Sequence, residues 1–236
     1  MSNQNIITLD PASNARGHFG QLLSVPGWVS VLVKELDGVA WETGIESDKK
    51  RRGESVKVNV YGVDATQGLA VVQVRWCRFH PRRFNQVRKD YFLIGRNENG
   101  NAFAHPVDSP ARSKTALATV DGPVRFVLAK IWECRESQLA GLVRNGDVAL
   151  IPMAKIDQNR IAALLEKWDG RRVLVADSHL VEAEEIFTRG NELYARGAVT
   201  IRHTKGQHPT VSGLGFWRVQ HGVRAATWGF THPTAD

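Results

Sequence analysis

Short runs in which apolar and polar residues alternate dominate this sequence, and they restrict the chain to a fold built mainly from half-buried β-strands. In "SVKVNVYGVD", at 55–64, valine occupies every second position from 56 to 60. The run "LAVVQVRWCRF" at 69–79 predicts a second strand, which ends at the break "HPRRF". Between 91 and 107, Asn99-Gly100 separates two strand-like runs and predicts an antiparallel hairpin with a type I′ turn.

The second half of the sequence mixes helical and strand-like patterns. A short helix is predicted to end at Asn145-Gly146, and a buried strand follows at 148–152. Asp157 is placed to cap a helix that ends before Gly170, and "RRVLVAD" at 171–177 reads as a further strand. This strand–helix–strand spacing fits either a βαβ unit or a helix packed on an antiparallel sheet.

Beyond residue 177, the triplet Asp177-Ser178-His179 resembles the start of a helix, with Asp177 or Ser178 as its cap. Everything after Asn191 is strand-like and is broken by glycine-containing turns. The predicted fold class is therefore α+β, mainly antiparallel β with two or three short helices. The turn-rich stretch 108–123 marks a boundary, which divides the chain into a β-rich subdomain, 1–112, and an α+β subdomain, 113–236.

Composition narrows the class of protein further. With 42% hydrophobic and 23% charged residues, the chain has the make-up of a globular protein and is long enough to bury a core. Its longest apolar runs fall far short of the roughly 20 residues that a membrane helix needs. The first residues lack the pattern of a signal peptide, which predicts a cytoplasmic protein. Two cysteines, Cys77 and Cys134, are too few for a disulfide framework and are expected to be buried thiols.

Positive charge is concentrated in one segment. The formal net charge is +7, and no acidic residue occurs between Ala65 and Lys89. Cations there, together with "DKKRR" at 48–52, can neutralise phosphates, while the interleaved aromatic rings can stack on bases. The predicted nucleic-acid-binding residues are Lys49, Lys50, Arg51, Arg52, Arg75, Arg78, Arg82, Arg83, Arg88, Lys89, Trp76, Phe84 and Tyr91.

The basic segment also has a structural interpretation. Aromatic residues at inward positions of strands usually belong to a core, and the arginines beside them can pair with surface carboxylates such as Asp64 or Asp90. If the segment does bind single-stranded nucleic acid, binding should weaken with salt and be lost when Arg82 and Arg83 are replaced with Glu.

A loose group of histidines raises a second possibility. His203 and His208 flank the turn "TKGQ", and His179 and Glu182 follow a predicted strand; together they are the candidate ligands of a divalent metal ion. The favoured interpretation is that 203–211 is a strand end followed by an exposed connection, with no metal and both histidines solvated. No phosphate-binding loop occurs, since "GLGFWRVQHG" lacks the strand-to-helix context and the GxGxxG spacing.

Several short elements between 146 and 220 carry a resemblance. The run "GDVALIP", then "VADSHLVEAEEI", "LYARGAVTIRHTKGQHPTV" and "FWRVQ", resembles a small β-rich domain of phage and bacterial proteins to which no activity is assigned. The resemblance implies a β-rich C-terminal region and a phage or mobile-element setting. The chain departs from the pattern at 177–179, where a second histidine is expected, and after Gln220, where an acidic-aromatic ending is absent.

Two functions follow from these patterns. The leading interpretation is a non-catalytic binding or accessory protein without a cofactor, which contacts nucleic acid or an acidic protein surface through the basic segment. The alternative is a metal-dependent enzyme with a cupin-like C-terminal region, in which the histidine group holds a divalent ion. The sequence leaves the oligomeric state open.

Overall fold

The computed structural model describes residues 8–9, 26–36, 56–78, 86–97, 100–110, 113 and 115–222, with only the backbone described for 8–9, 56–57, 75–78 and 86–88. These residues fall in two compact units, unit 1 up to Val127 and unit 2 from Leu128 to Gly222. The division lies inside the helix Gly122–Ile131, beyond the turn-rich stretch 108–123. The subdomain boundary placed at 112–113 stays a prediction.

Unit 1 is built on one sheet with strand order β1-β2-β3-β4-β5. The short strand β1 pairs in parallel with β2, and all other neighbours pair antiparallel. Helix α1 contributes three buried residues, Val29, Leu32 and Val33, to the core on one sheet face. The elements are β1 (Thr8–Leu9), α1 (Gly27–Glu35), β2 (Val56–Asp64), β3 (Leu69–Arg78), β4 (Gln86–Arg96) and β5 (Ala102–Val107).

The alternation in the sequence accounts for the strands of unit 1. Val58 and Val60 of β2 face the same buried core as Val72 and Val74 of β3, as the period of two requires. The antiparallel β4–β5 hairpin is confirmed, but its turn differs from the prediction. Asn97 N–H donates to the Asn101 carbonyl, so three residues rather than two lie between the paired positions.

Unit 2 is a seven-stranded sheet with strand order β6-β7-β12-β11-β10-β8, and β9 also pairs with β10. Its core is formed by apolar residues from β7, β10, β11 and β12, including Leu150, Ile186 and Ile201. The helices are α2 (Gly122–Ile131, shared with unit 1), a 3₁₀ helix (Glu136–Gly141), α3 (Lys155–Ile161) and a second 3₁₀ helix (Ala162–Leu164). The strands are β6 (Val143–Asn145), β7 (Val148–Pro152), β8 (Glu166–Lys167), β9 (Arg172–Val175), β10 (His179–Arg189), β11 (Glu192–His203) and β12 (Val211–His221).

The helix predicted after Ser178 is wrong, since these residues form strand β10. Burial alternates along its start, with His179, Val181 and Ala183 inside. The cap-like residues instead form a tight turn, because Ser178 N–H donates to the Val175 carbonyl and both central residues have positive φ, 50° at 176 and 57° at 177. Two positive φ angles are characteristic of a type I′ hairpin turn, which directs the chain back into an antiparallel strand.

The two predicted helices of unit 2 are shorter than the sequence suggested. The first is a 3₁₀ helix that ends at Gly141, and Asn145 lies in β6. The second, α3, ends at Ile161, and the supposed apolar face is not covered, since Leu164 and Trp168 are 54% and 43% exposed. Strands β7 and β9 pair antiparallel with β12 and β10, so the antiparallel alternative to a βαβ unit is confirmed.

The fold class predicted from the sequence, α+β and mainly antiparallel β, is thus confirmed. Across the described ranges, no helix is long and apolar enough to cross a membrane. Cys134 is half-buried and unpaired, and burial raises the pKa of its thiol above the ordinary value.

Candidate functional site

The basic segment lies on strands β3 and β4 of unit 1 and on residues outside the described ranges. Lys89 is exposed and Tyr91 is half-buried, both on β4. Backbone positions place Arg75, Trp76 and Arg78 on β3 and Arg88 on β4. The remaining predicted contact residues lie outside the described residues: Lys49, Lys50, Arg51, Arg52, Arg82, Arg83 and Phe84.

Strand register brings three cationic positions into one line across unit 1. Lys57 of β2 pairs directly with Arg75 of β3, and Arg75 pairs directly with Lys89 of β4. These three positions are called the basic row. Adjacent strands are about 4.8 Å apart, so the row spans roughly 10 Å of backbone.

One of the two carboxylates that the sequence offered as a partner for the arginines has another role. Asp64 Oδ1 accepts hydrogen bonds from the backbone N–H groups of Thr66 and Gln67, and Oδ2 accepts from the Gln67 side chain. These bonds close the turn between β2 and β3. Both oxygens of the Asp64 carboxylate are therefore engaged within this turn.

A buried polar network occupies the row next to the basic row. Gln73 is 3% exposed; its Oε1 accepts from Asn59 Nδ2 at 3.1 Å, and its Nε2 donates to the Tyr61 and Tyr91 hydroxyls at 3.2 and 2.6 Å. The two tyrosine rings meet edge to face, 5.4 Å apart. The Gln73 amide thus uses its acceptor and both donor protons, and its burial is fully compensated.

Unit 2 has a second buried polar group, which the sequence only partly revealed. The rings of His179, His203 and His208 lie 4.9 to 6.0 Å apart, centroid to centroid. His179 begins β10 and His203 ends β11, and the register pairs them directly. We call these three residues, with Asn145, Gly146 and Asp147, the histidine cluster.

The sheet of unit 2 curls, which brings residues next to strand β6 into the histidine cluster. Strand β6 is first in the strand order and β10 is fifth, yet Asp147, just beyond β6, lies with Oδ1 3.4 Å from His179 Nδ1. Asn145, at the end of β6, donates from Nδ2 to the Pro209 carbonyl at 2.6 Å. The β6–β7 turn is therefore held against the end of β11 and the connection that follows it.

Hydrogen bonds fix the tautomer of His179. Ser178 Oγ donates its proton to the Ala176 carbonyl at 3.0 Å, so the 3.0 Å contact between Ser178 Oγ and His179 Nδ1 requires the proton of Nδ1. The Asp147 carboxylate also favours a protonated Nδ1. His179 Nε2 consequently carries a lone pair.

Burial keeps His179 in this neutral form. The residue is 1% exposed, and this desolvation lowers the pKa of His179 below the ordinary value. The Asp147 carboxylate acts in the opposite direction, while the nearby histidines His203, His208 and His221 lower the pKa further. The imidazole is thus a neutral base at physiological pH.

His203 has the opposite tautomer. Its Nδ1 accepts a hydrogen bond from the Lys205 backbone N–H at 3.2 Å, so the neutral ring carries its proton on Nε2. At 6% exposure His203 is buried, which makes the prediction of a solvated side chain wrong for this residue. Residues 204–207 are exposed, as a strand end followed by an exposed connection predicts.

Buried polar atoms of the histidine cluster without a hydrogen-bond partner include His179 Nε2 and Asn145 Oδ1. Between the histidines lies Gly146, with φ +56°, where an added Cβ would lie 2.5 Å from His208 Nε2 and 3.2 Å from His179 Nε2. Only glycine permits the two imidazoles to approach the chain so closely at this turn.

Glu182 is not part of the histidine cluster. It lies three residues after His179 on the same strand, where alternation directs it to the other face. Arg172 Nη2 pairs with its Oε1 at 2.8 Å, and Nε donates to the same oxygen at 2.9 Å. The sequence thus identified three histidines of the cluster but assigned it the wrong carboxylate.

The carboxylate that does face the histidines is Asp147, which sequence reasoning missed together with Asn145. Asp147 also contacts His221, whose Nε2 is 2.9 Å from Oδ2. The only signal in the sequence was the "NGD" turn directly before a buried strand. Within the described part of the chain, no set of three or more His, Cys, Asp or Glu side chains is arranged to hold a metal ion.

Comparisons with known proteins add no relative. No family model, no curated protein and no solved structure matches the chain.

Proposed function

We propose that unit 1 binds single-stranded nucleic acid through the basic end of its sheet. The observation that carries this proposal is the register of the basic row, in which Lys57, Arg75 and Lys89 occupy directly opposed positions on three strands. Like charges at opposed positions disfavour strand pairing. A phosphate backbone lying across the row would remove this repulsion and release its own counterions, which favours binding.

Features next to the basic row support a nucleic acid as the partner. Lys89 is exposed, and the segment 65–89 contains no acidic residue. Tyr91, two positions further along β4, supplies an aromatic ring whose hydroxyl is held by Gln73. Cations with positioned aromatic rings are the combination by which proteins hold single strands without strict sequence preference.

The test is a salt titration of binding to a fluorescent single-stranded oligonucleotide. In the test variant, all three residues of the basic row are replaced with Gln. Its matched control loses the same charge at three exposed cations of unit 2: Lys155, Arg171 and Lys205. Each phosphate contact on a single strand contributes about −0.7 to the slope of log K against log salt, so the test variant should lose about 2 from the slope.

The control variant should retain the slope of the unmodified protein. Equal slopes for the test variant and the unmodified protein would contradict the proposal, and so would equal losses in test and control, which would indicate net charge alone. Polyglutamate added as a competitor separates the other partner class. If it displaces the oligonucleotide at equal charge concentration, the surface recognises acidic chains in general rather than nucleic acid.

A further inference from the structure

The histidine cluster concentrates titratable groups at one end of the unit 2 sheet. The rings of His179, His203 and His208 lie 4.9 to 6.0 Å apart. The Asp147 carboxylate bridges two imidazoles, at 3.4 Å from His179 Nδ1 and 2.9 Å from His221 Nε2. These five groups come from the β6–β7 turn, the start of β10, the end of β11, the connection after it and the end of β12. A change in their protonation therefore acts on every element that meets at this end of the sheet.

The charges around His179 are unevenly matched. Among the described residues, the acidic group that acts on His179 is Asp147, and the other groups that act on it are the imidazoles of His203, His208 and His221. Further charged residues on the same elements are exposed, and they include Arg144, Asp177, Arg202 and Lys205. Water and salt screen exposed charges, so these residues compensate little for charge inside the cluster. Protons that enter the cluster therefore create more positive charge than Asp147 balances.

The contacts inside the cluster require neutral rings. His203 Nδ1 accepts a hydrogen bond from the Lys205 backbone N–H, and an imidazolium has no lone pair with which to accept it. His179 is 1% exposed, and a charged ring at that depth loses its hydration. Acid therefore favours any arrangement in which these rings regain contact with water.

We propose that the histidine cluster is a pH switch, which holds the β6–β7 turn and the connection 204–210 against the start of β10 while its rings are neutral and releases them when the rings are protonated. Two backbone hydrogen bonds mark the closed form. Thr204 N–H donates to the Ser178 carbonyl at 2.7 Å, and Gly222 N–H donates to the Asp147 carbonyl at 2.8 Å. Opening breaks these local bonds, whereas the β10–β11–β12 ladder stays paired.

The direction of the pH effect follows from the proton balance between the two forms. In the closed form, burial holds the pKa of His179 below its ordinary value of 6.5, whereas a hydrated His179 in the open form regains that value. The open form therefore binds more protons once the pH falls below about 6.5. The closed form is fully stable above this pH and loses stability below it. Each proton taken up on opening raises the ratio of open to closed form by up to about tenfold per pH unit.

The experiment is amide hydrogen exchange of the full-length protein, followed by NMR from about pH 8 to pH 5, the range in which histidine changes its charge. Rates are corrected for the intrinsic exchange rate at each pH. We expect protection at Thr204 and Gly222 to fall by up to about tenfold for each pH unit below 6.5. Amides in the middle of β11, around Val199, are paired on both sides and should keep their protection.

Two variants should change this pH dependence in opposite directions. His179→Asn cannot titrate, but its Nδ2 can still donate to Asp147, so the loss of protection at Thr204 in acid should become smaller. Asp147→Asn removes the negative charge that opposes the effect of burial, so the same loss should become larger. His105→Asn removes a histidine of β5 in unit 1 and is the matched control, which should leave the pH dependence unchanged.

Circular dichroism shows whether each variant is folded, and the imidazole resonances of the unmodified protein report protonation of His179 if His179→Asn does not fold. The proposal is overturned if protection at Thr204 does not change with pH, or if Val199 loses protection equally, which would indicate global unfolding. It is also overturned if folded His179→Asn keeps the full pH dependence, or if His179 becomes protonated while Thr204 stays protected. Nucleic-acid binding plays no part in these readouts, so this proposal and the proposed function fail separately.

Discussion

The two units of this protein each bury a polar cluster on a β-sheet, and the clusters differ in how completely they are satisfied. In unit 1, the Gln73 amide accepts one hydrogen bond and donates two, all to side chains on adjacent strands. In unit 2, His179 Nε2 and Asn145 Oδ1 have no donor. A saturated network stabilises the pairing of its strands, whereas buried polar atoms without a protein partner leave room for a further hydrogen-bonding group.

Strain accompanies the unsatisfied cluster. Ala176 and Asp177, in the turn that delivers His179, have positive φ angles of 50° and 57°, which non-glycine residues adopt at a cost. Among the described residues of unit 1, positive φ occurs only at glycines, Gly68 and Gly100. These angles belong to the type I′ turn between β9 and β10, which places His179 at the start of β10.

Among the substitutions that test the difference between the two polar clusters, Gly146→Ala is expected to have the largest effect. The new methyl group would clash with His208 and His179 at a residue with φ +56°, so we expect a loss of about 3 kcal/mol or more in unfolding free energy, the sum of backbone strain and overpacking. Urea unfolding followed by tryptophan fluorescence measures the stability.

Gly206→Ala is the matched control for this substitution. Gly206 has φ +67° but open space around its Cβ position, so alanine there should cost only the backbone strain, about 1–2 kcal/mol. Equal losses at Gly146 and Gly206 would show that the imidazoles do not crowd the β6–β7 turn, and the geometry of the histidine cluster would have to be revised.

A smaller loss is expected when the saturated network of unit 1 is broken. Gln73→Met keeps the length of the side chain but removes the partner of Asn59, Tyr61 and Tyr91, which should cost about 1–3 kcal/mol. Tyr91→Phe removes one of these bonds and should cost less, about 1 kcal/mol. Thermal unfolding measures both; a Gln73→Met protein as stable as the unmodified one would show that the network does not hold the sheet together.

The smallest effect is expected for Glu182→Gln, on the outer face of the strand that carries His179. Its ion pair with Arg172 is solvent-exposed, and exposed pairs contribute roughly 0–1 kcal/mol, so stability should change by about 0.5 kcal/mol or less. Thermal unfolding of this variant beside the unmodified protein measures the change. A loss above about 1 kcal/mol would instead show that Glu182 contributes more than an exposed ion pair with Arg172.

The local sequence pattern predicted secondary structure correctly where every second residue of a strand is buried. The alternation of valines in β2 and β3, and the turn residues before β5, predicted elements whose bounds the structure nearly reproduces. The pattern failed at Ser178, since an N-cap and a type I′ turn both favour Asp and Ser, and only pairing with β11 selects the strand. The pattern also predicted a longer helix than the observed α3, because apolar residues can occur at helical spacing without being buried in a core.

By itself, the sequence determined the fold class, the concentration of positive charge on β3 and β4, and three of the histidines that meet in unit 2. Tertiary structure alone decided which carboxylate joins them. Glu182 is near His179 in sequence but lies on the opposite strand face, whereas Asp147, more than thirty residues earlier, is brought to 3.4 Å by the curl of the sheet. Strand alternation is a local property of the backbone, but closure of a curled sheet depends on the register of every strand between its edges.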